Sequence, residues 1–275
     1  MLNIVKKRGH TGLPAAFLIV VAACGGGSTT PTPTPGPSPA PNVNACGAIA
    51  QAPGGSIAIT NGTDCSVDNT SVMRLNMRGS AGNEGSCSGT VIAPRVVLTA
   101  AHCLDSAVRT VLVWRGVAGE EQITASSFRA HPNYDQNNSV VSFDVGLVFV
   151  DEDLGRPAVP VLLSRDGRIG ETAVVAGWGR DLQSVSAFLR AGTTTLSGVA
   201  SNALRTQFST MTTGICAGDS GGPILLSEGD VWSIAGIISA TSQATCNDGE
   251  HFYAPVRNSE IQSFIRDNVE NVTQR

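Results

Sequence analysis

The sequence predicts an all-β protein, and three observations carry that expectation. Thirty-one glycines are spread through 275 residues, short β-rich runs recur along the chain, and long amphipathic helices are scarce. Apolar residues make up 41% and charged residues only 15%, a balance that suits a globular domain rather than a disordered chain. Strand-like runs lie at residues 95–100, 110–114, 145–150, 172–176 and 232–238. This patterning alone leaves both a sandwich and a barrel open. One helix is signalled near the end: Ile261, Phe264, Ile265 and Val269 share a face at i, i+3, i+4 and i+8, with Asn258 or Ser259 as its cap. It reads as a docking helix that closes the domain.

The N-terminal part has a different character. Lys6, Lys7 and Arg8 precede an apolar stretch at 13–23 that is too short to span a bilayer, the pattern of an export signal over residues 1–23. Its end, Val21-Ala22-Ala23-Cys24, resembles the bacterial lipoprotein box. That resemblance implies a diacylglycerol on Cys24 and a membrane-anchored mature chain, whereas a plain secretory signal would release a soluble one. Residues 25–41 are almost entirely Gly, Ser, Thr and Pro, an extended spacer that cannot bury a core. Residues 24–58 are therefore read as a lipid-anchored spacer and pro-segment, and residues 59–275 as a single folded domain.

Three short segments carry chemistry. Gly218-Asp219-Ser220-Gly221-Gly222-Pro223 surrounds a serine with glycines, which allow a sharp turn and leave amide N–H groups unobstructed. A serine hydroxyl needs a base to take its proton and donors to hold the oxyanion that follows. Val97-Leu98-Thr99-Ala100-Ala101-His102-Cys103 offers the base. Asp144 opens the apolar run Val145-Gly146-Leu147-Val148, where a carboxylate needs a partner such as a histidine N–H. In chain order the three are His, Asp, Ser.

These segments resemble the trypsin/chymotrypsin family of serine endopeptidases. The likeness runs from Ile59 to the C-terminus and extends to His131-Pro132-Asn133-Tyr134, Gly177-Trp178-Gly179 and Gly236-Ile237-Ile238-Ser239. It implies two six-stranded antiparallel barrels followed by a C-terminal helix. By the same resemblance Ser220 is the nucleophile, His102 the base and Asp144 the group that orients it. The amides of Gly218 and Ser220 form the oxyanion hole, and Ser239 supports Asp144 and pairs its backbone with the substrate. Cys87 and Cys103 match the disulfide of the histidine loop, and Cys216 and Cys246 the one that shapes the specificity pocket. Cys46 and Cys65, which flank Ile59, are inferred to pair and hold a cleaved pro-segment, without a close family template.

Family members are made as precursors, and Ile59-Thr60-Asn61-Gly62 stands where the new N-terminus is expected, with Asp219 as the partner of its amine. Ile57 is the rival start. No basic residue precedes Ile59, so activation requires a protease of other specificity or self-cleavage after Ala58. The resemblance places Gly214 at the pocket floor with Ile215 beside it, and Thr241 and His251 on the walls. No aspartate is present there to select Lys or Arg. Two preferences stay open, a small apolar residue before the cut or an acidic one paired with His251, and the first is favoured.

Several functions are disfavoured. Without the leader, 15 basic and 22 acidic residues remain, a net charge near −7 that argues against nucleic acid. No Cys-x-x-Cys occurs and the four histidines are scattered, so no metal site is expected, and no cofactor is implied. A catalytically dead surface-binding protein on the same fold is the alternative from another class. An α/β-hydrolase esterase is disfavoured by the His-Asp-Ser order. The expected partners are protein or peptide substrates, an activating protease, and a membrane through Cys24 at the envelope of a bacterial cell.

Overall fold

The computed structural model describes residues 44–50, 58–67, 69–80, 82, 84–114, 121–137, 141–180, 188–209, 212–243, 245–246 and 248–275. The leader, Cys24, the spacer and Ile57 lie outside the described residues. The described chain begins with a short helix, α1 (Ala45–Ala50), and then a strand, β1 (Ala58–Asp64).

The first barrel is built from β2 (Val72–Gly79), β3 (Glu84–Ala93), β4 (Val96–Thr99), β5 (Val108–Trp114), β6 (Gln122–Thr124), β7 (Ser127–Ala130) and β8 (Gly146–Phe149). Period-two alternation shows most clearly in β2, where Met73, Leu75 and Met77 are buried while Arg74, Asn76 and Arg78 point outward. The antiparallel order is β6-β5-β2-β3-β4-β8-β7, so β6 and β7 occupy opposite edges although they follow one another in sequence. The bend between them closes the sheet. Ala125 N donates to Val111 O of β5 at 2.9 Å and Ser126 N to Phe149 O of β8 at 2.9 Å, so this linker bonds to both ends of the sheet. Counting β6–β7 as one bent strand gives a six-stranded barrel.

The second barrel comprises β9 (Thr172–Gly177), β10 (Arg190–Ala200), β11 (Ala203–Gln207), β12 (Pro223–Glu228), β13 (Val231–Thr241) and β14 (Glu250–Pro255). Its order is β10-β11-β14-β13-β12-β9, and β9 pairs back onto β10 to close the ring. β1 is added outside this ring, along β10. Closure of both sheets leaves few free edges.

The final helix, α2 (Ser259–Asn268), is capped by Asn258, whose Oδ1 accepts from Glu260 N at 2.9 Å and Ile261 N at 3.3 Å. Ile261, Ile265 and Val269 are buried, so the predicted stripe is the face that docks. Helix α1 is an addition to what the sequence suggested, a docked element within the expected pro-segment. Six residues cannot hold a helix alone in water. This one is fixed by burial of Ala45, Ala48 and Ile49, by Asn44 Oδ1 accepting from Gly47 N at 2.8 Å, and by the Cys46–Cys65 disulfide. It packs on β9, β10 and β13 of the second barrel.

Candidate active site

The site lies where the two barrels meet, and Ser88 of β3 joins them. Its hydroxyl donates to Gly218 O at 2.9 Å and accepts from Trp178 N at 2.8 Å, and its amide donates to Ser220 O at 2.7 Å. The neighbouring Cys87 is bonded to Cys103, the residue after His102. One dipeptide of β3 therefore ties the histidine turn and the serine loop together. Cys87, His102 and Cys103 bring three metal-type ligand atoms within 4.8 Å, but the two sulfurs are bonded to each other.

His102 sits in a single 3-10 turn, Ala101–Leu104, directly after β4. Asp144 precedes β8 and Ser239 lies in β13, so the carboxylate is gripped from both barrels. His102 Nδ1 donates to Asp144 Oδ2 at 2.7 Å, His102 N to Asp144 Oδ1 at 2.9 Å, and Ser239 Oγ to Asp144 Oδ2 at 2.5 Å. Burial alone would push this carboxyl up, but the imidazole's charge and the donors hold it below its ordinary range. Burial likewise pulls His102 down, and the adjoining Asp144 outweighs it and raises the imidazole above 6.5. With Nδ1–H bound to the carboxylate, Nε2 is the basic nitrogen.

The backbone that aims Asp144 is unusual. Phe143 has φ +62°, a left-handed conformation that costs a bulky residue about 1–3 kcal/mol. Its ring stacks on His131 with centroids 4.9 Å apart, and His131 in turn lies 4.9 Å from Phe264 of α2. This aromatic stack explains a role for the His131-Pro132 segment that the sequence left without one.

The serine loop is held just as tightly. Gly221 N donates to Ile238 O at 2.8 Å, and Gly218 adopts φ +100°, which a residue with a Cβ rarely tolerates. Neither the Gly218 nor the Ser220 amide donates to an acceptor among the described residues. Asp219 is buried beneath them, its two oxygens accepting from Gly179 N and Cys216 N at 2.8 Å each. Burial pushes its carboxyl up to about 6, against 3.8 ordinarily. A methyl on Gly177 would stand 2.3 Å from Asp219 Oδ1, and one on Gly179 2.4 Å from its Cγ. Gly177-Trp178-Gly179 is therefore glycine on both sides because the Asp219 carboxylate fills that space.

The trypsin family profile matches residues 59–265. The chain belongs to the trypsin family. Brachyurin of Leptuca pugilator is 32% identical over 166 residues, which span 50% of this chain and 70% of that protein. Chymotrypsin of Phaedon cochleariae is 30% identical over 199 residues, 62% of this chain and 70% of that one. Among solved structures, HL collagenase superposes with a TM-score of 0.66 at 20% identity, covering 77% of this chain and 100% of that chain, a likeness of fold. This trypsin-family chain is a serine endopeptidase.

The residues expected to form the specificity pocket of this trypsin-family domain are also gathered. Gly214 and Ile215 precede Cys216, whose bond to Cys246 is formed. Thr241 and His251 are direct cross-strand partners on β13 and β14, which puts both side chains on one face. His251 is fully buried, and burial lowers its imidazole to about 4. Phe208 joins this group, and sequence reasoning missed it. Its ring lies against Gly214, where a methyl would meet it at 2.7 Å, and edge-on to His251 with centroids 6.4 Å apart. No spacing in the sequence points to it, because it enters from the loop after β11. Ile59 lies in β1, where Ala58 and Thr63 both face Ala191, so residues 59–62 bulge from the ladder.

Proposed function

We propose that the chain cleaves peptide bonds with Ser220 as nucleophile, His102 as base and Asp144 as the group that fixes the His102 tautomer. The observation that carries this reading is the Asp144 carboxylate, which receives His102 Nδ1, His102 N and Ser239 Oγ together. Nε2 takes the Ser220 proton as Oγ attacks the carbonyl carbon, and the imidazolium is stabilised by Asp144. The uncommitted amides of Gly218 and Ser220 receive the oxyanion. His102 then gives its proton to the leaving amine, and water repeats the sequence on the acyl-enzyme. Because the base must be neutral, kcat/KM should fall as pH drops through a value above 6.5, the side to which Asp144 shifts His102. A pH–rate profile that is flat from 5 to 8 would contradict the assignment.

Cleavage is proposed to follow small apolar residues. Phe208 against the floor, Ile215 beside it and a neutral His251 on the wall make a short pocket without charge. A second reading, acidic specificity, is favoured by one observation. His251 is buried, and neither ring nitrogen has a hydrogen-bond partner among the described residues, so a substrate carboxylate would supply one. His251→Gly separates the two in a peptide-library profile. Wider tolerance for larger residues supports the small-apolar reading, and loss of an Asp/Glu preference supports the acidic one.

Activation is proposed to occur at Ala58–Ile59, where the family match begins and the strand bulges. The pro-segment would remain attached through Cys46–Cys65 and the docked α1. A diacylglycerol on Cys24 is proposed to anchor the chain at a bacterial envelope, on the strength of Val21-Ala22-Ala23-Cys24. Intact mass of the native protein, before and after reduction, tests both proposals. Two chains that separate only on reduction, the heavier one starting at Ile59 and the lighter one carrying lipid mass on Cys24, are expected. An unmodified start refutes the anchor, and a single active chain refutes the cleavage.

A further inference from the structure

Beside the oxyanion amides runs a surface groove of about 330 Å³ that the catalytic reading does not use. Arg74 and Asn76 of β2 and Ser86 of β3 form one wall, and Arg180, Ala217 and Gly218 the other. Two guanidiniums thus converge in a chain whose net charge is −4. No carboxylate lines the groove, and neither arginine has an ion-pair partner among the described residues. The Arg74 side chain and the Arg180 backbone are held in place. Arg74 Nε donates to Ser86 Oγ at 3.2 Å and its guanidinium lies 5.0 Å over the Trp114 ring, while Arg180 N donates to Ala217 O at 2.9 Å. Arg74 is partly buried, which strengthens any charge interaction it makes.

The groove's place relative to the reaction sets what enters it. It shares no residue with the pocket of Gly214, Ile215, Thr241 and His251, and one wall belongs to the barrel that carries His102. In the peptidase reading, on which this inference rests, His102 protonates the departing amine. A substrate that fills the pocket and passes Ser220 therefore reaches the groove with the residues that follow the cut. We propose that this groove is a carboxylate subsite on the leaving side of the scissile bond, with Arg74 and Arg180 as specificity-determining residues. Guanidinium forks suit carboxylates, which they bind in bidentate fashion. The occupant is an acidic side chain within the first three residues after the cut, or the free C-terminal carboxylate of a short substrate.

The test measures kcat/KM of the activated enzyme on peptides with one common acyl half. Asp is compared with Asn at each of the first three leaving positions in C-terminally amidated peptides, and the all-Asn peptide is also made as the free acid. Asp at one position should raise kcat/KM about five- to tenfold at low ionic strength, and added salt should erode the gain. Arg180→Gln and Arg74→Gln should each bring the ratio toward one, and Arg180→Glu should favour Lys over Asp there. Because each ratio is internal to one variant, a smaller folded fraction does not distort it. A gain confined to the free acid identifies the terminal carboxylate as occupant and supports the subsite. Equal rates for Asp, Asn and free-acid peptides, or a preference that survives both glutamine substitutions, overturn it. Cleavage of none of the peptides, with Ser220 unreactive to a fluorophosphonate, would overturn the peptidase reading and this inference with it.

Discussion

Alanine in place of Ser220 or of His102 should each remove nearly all amide hydrolysis, and the double variant should be no worse than either single one. Members of such a triad act as a unit, and in another serine protease the loss is about 10⁶ in kcat whether the serine, the histidine or all three are removed. Retention of more than about a hundredth of wild-type turnover by Ser220→Ala contradicts the nucleophile assignment. Both variants should stay folded. Ser220 is small, and His102 is about 20% exposed and stands in a turn stapled independently by Cys87–Cys103. Circular dichroism and thermal melting distinguish lost chemistry from lost structure.

The second large effect should come from Asp219→Asn. In the uncut chain the Asp219 carboxyl is buried among two amide donors with its value raised to about 6. A raised carboxyl favours the folded state below its unfolded value of about 3.8, and that advantage is lost as pH climbs to about 6. The loss amounts to about 3 kcal/mol on a shift of this size. An ammonium from Ile59 beside Asp219 would lower the carboxyl again and cancel it. The uncut Ser220→Ala chain should therefore lose stability between pH 4 and 6 relative to the cut chain, as read by denaturant melts. Parallel curves for the two forms would refute the pairing. Removing the charged partner of a buried pair costs about 3–5 kcal/mol, so Asp219→Asn should lower activity of the cut enzyme a hundredfold or more. The asparagine amide would also face one of the two N–H groups that now donate to it.

Much of the fold was legible because its signals are local. The apolar runs of β4, β8, β9 and β13, and the i, i+3, i+4 stripe of α2, depend only on neighbouring residues. The pairing of His102 with Asp144 was legible because short flanking segments distinguish both residues. Long-range contacts were not. Phe208 reaches Gly214 and His251 from the loop after β11, and Ser88 gains its importance from Gly218, Trp178 and Ser220, far along the chain. The left-handed Phe143 carries no glycine to announce its turn. Helix α1 is too short and too rich in alanine for periodicity to reveal it, and only its docking and its disulfide make it helical.

The stack of Phe143, His131 and Phe264 bears on when the enzyme becomes competent during synthesis. A chain leaving the ribosome presents His102, Asp144 and Ser220 before α2. Until Phe264 docks, His131 lacks its backing and the strained turn that aims Asp144 lacks a support. A nascent chain can thus hold all three side chains of the proposed triad without holding them in register. In the proposed triad, the aim of Asp144 thus depends on a helix that contributes no atom to the chemistry.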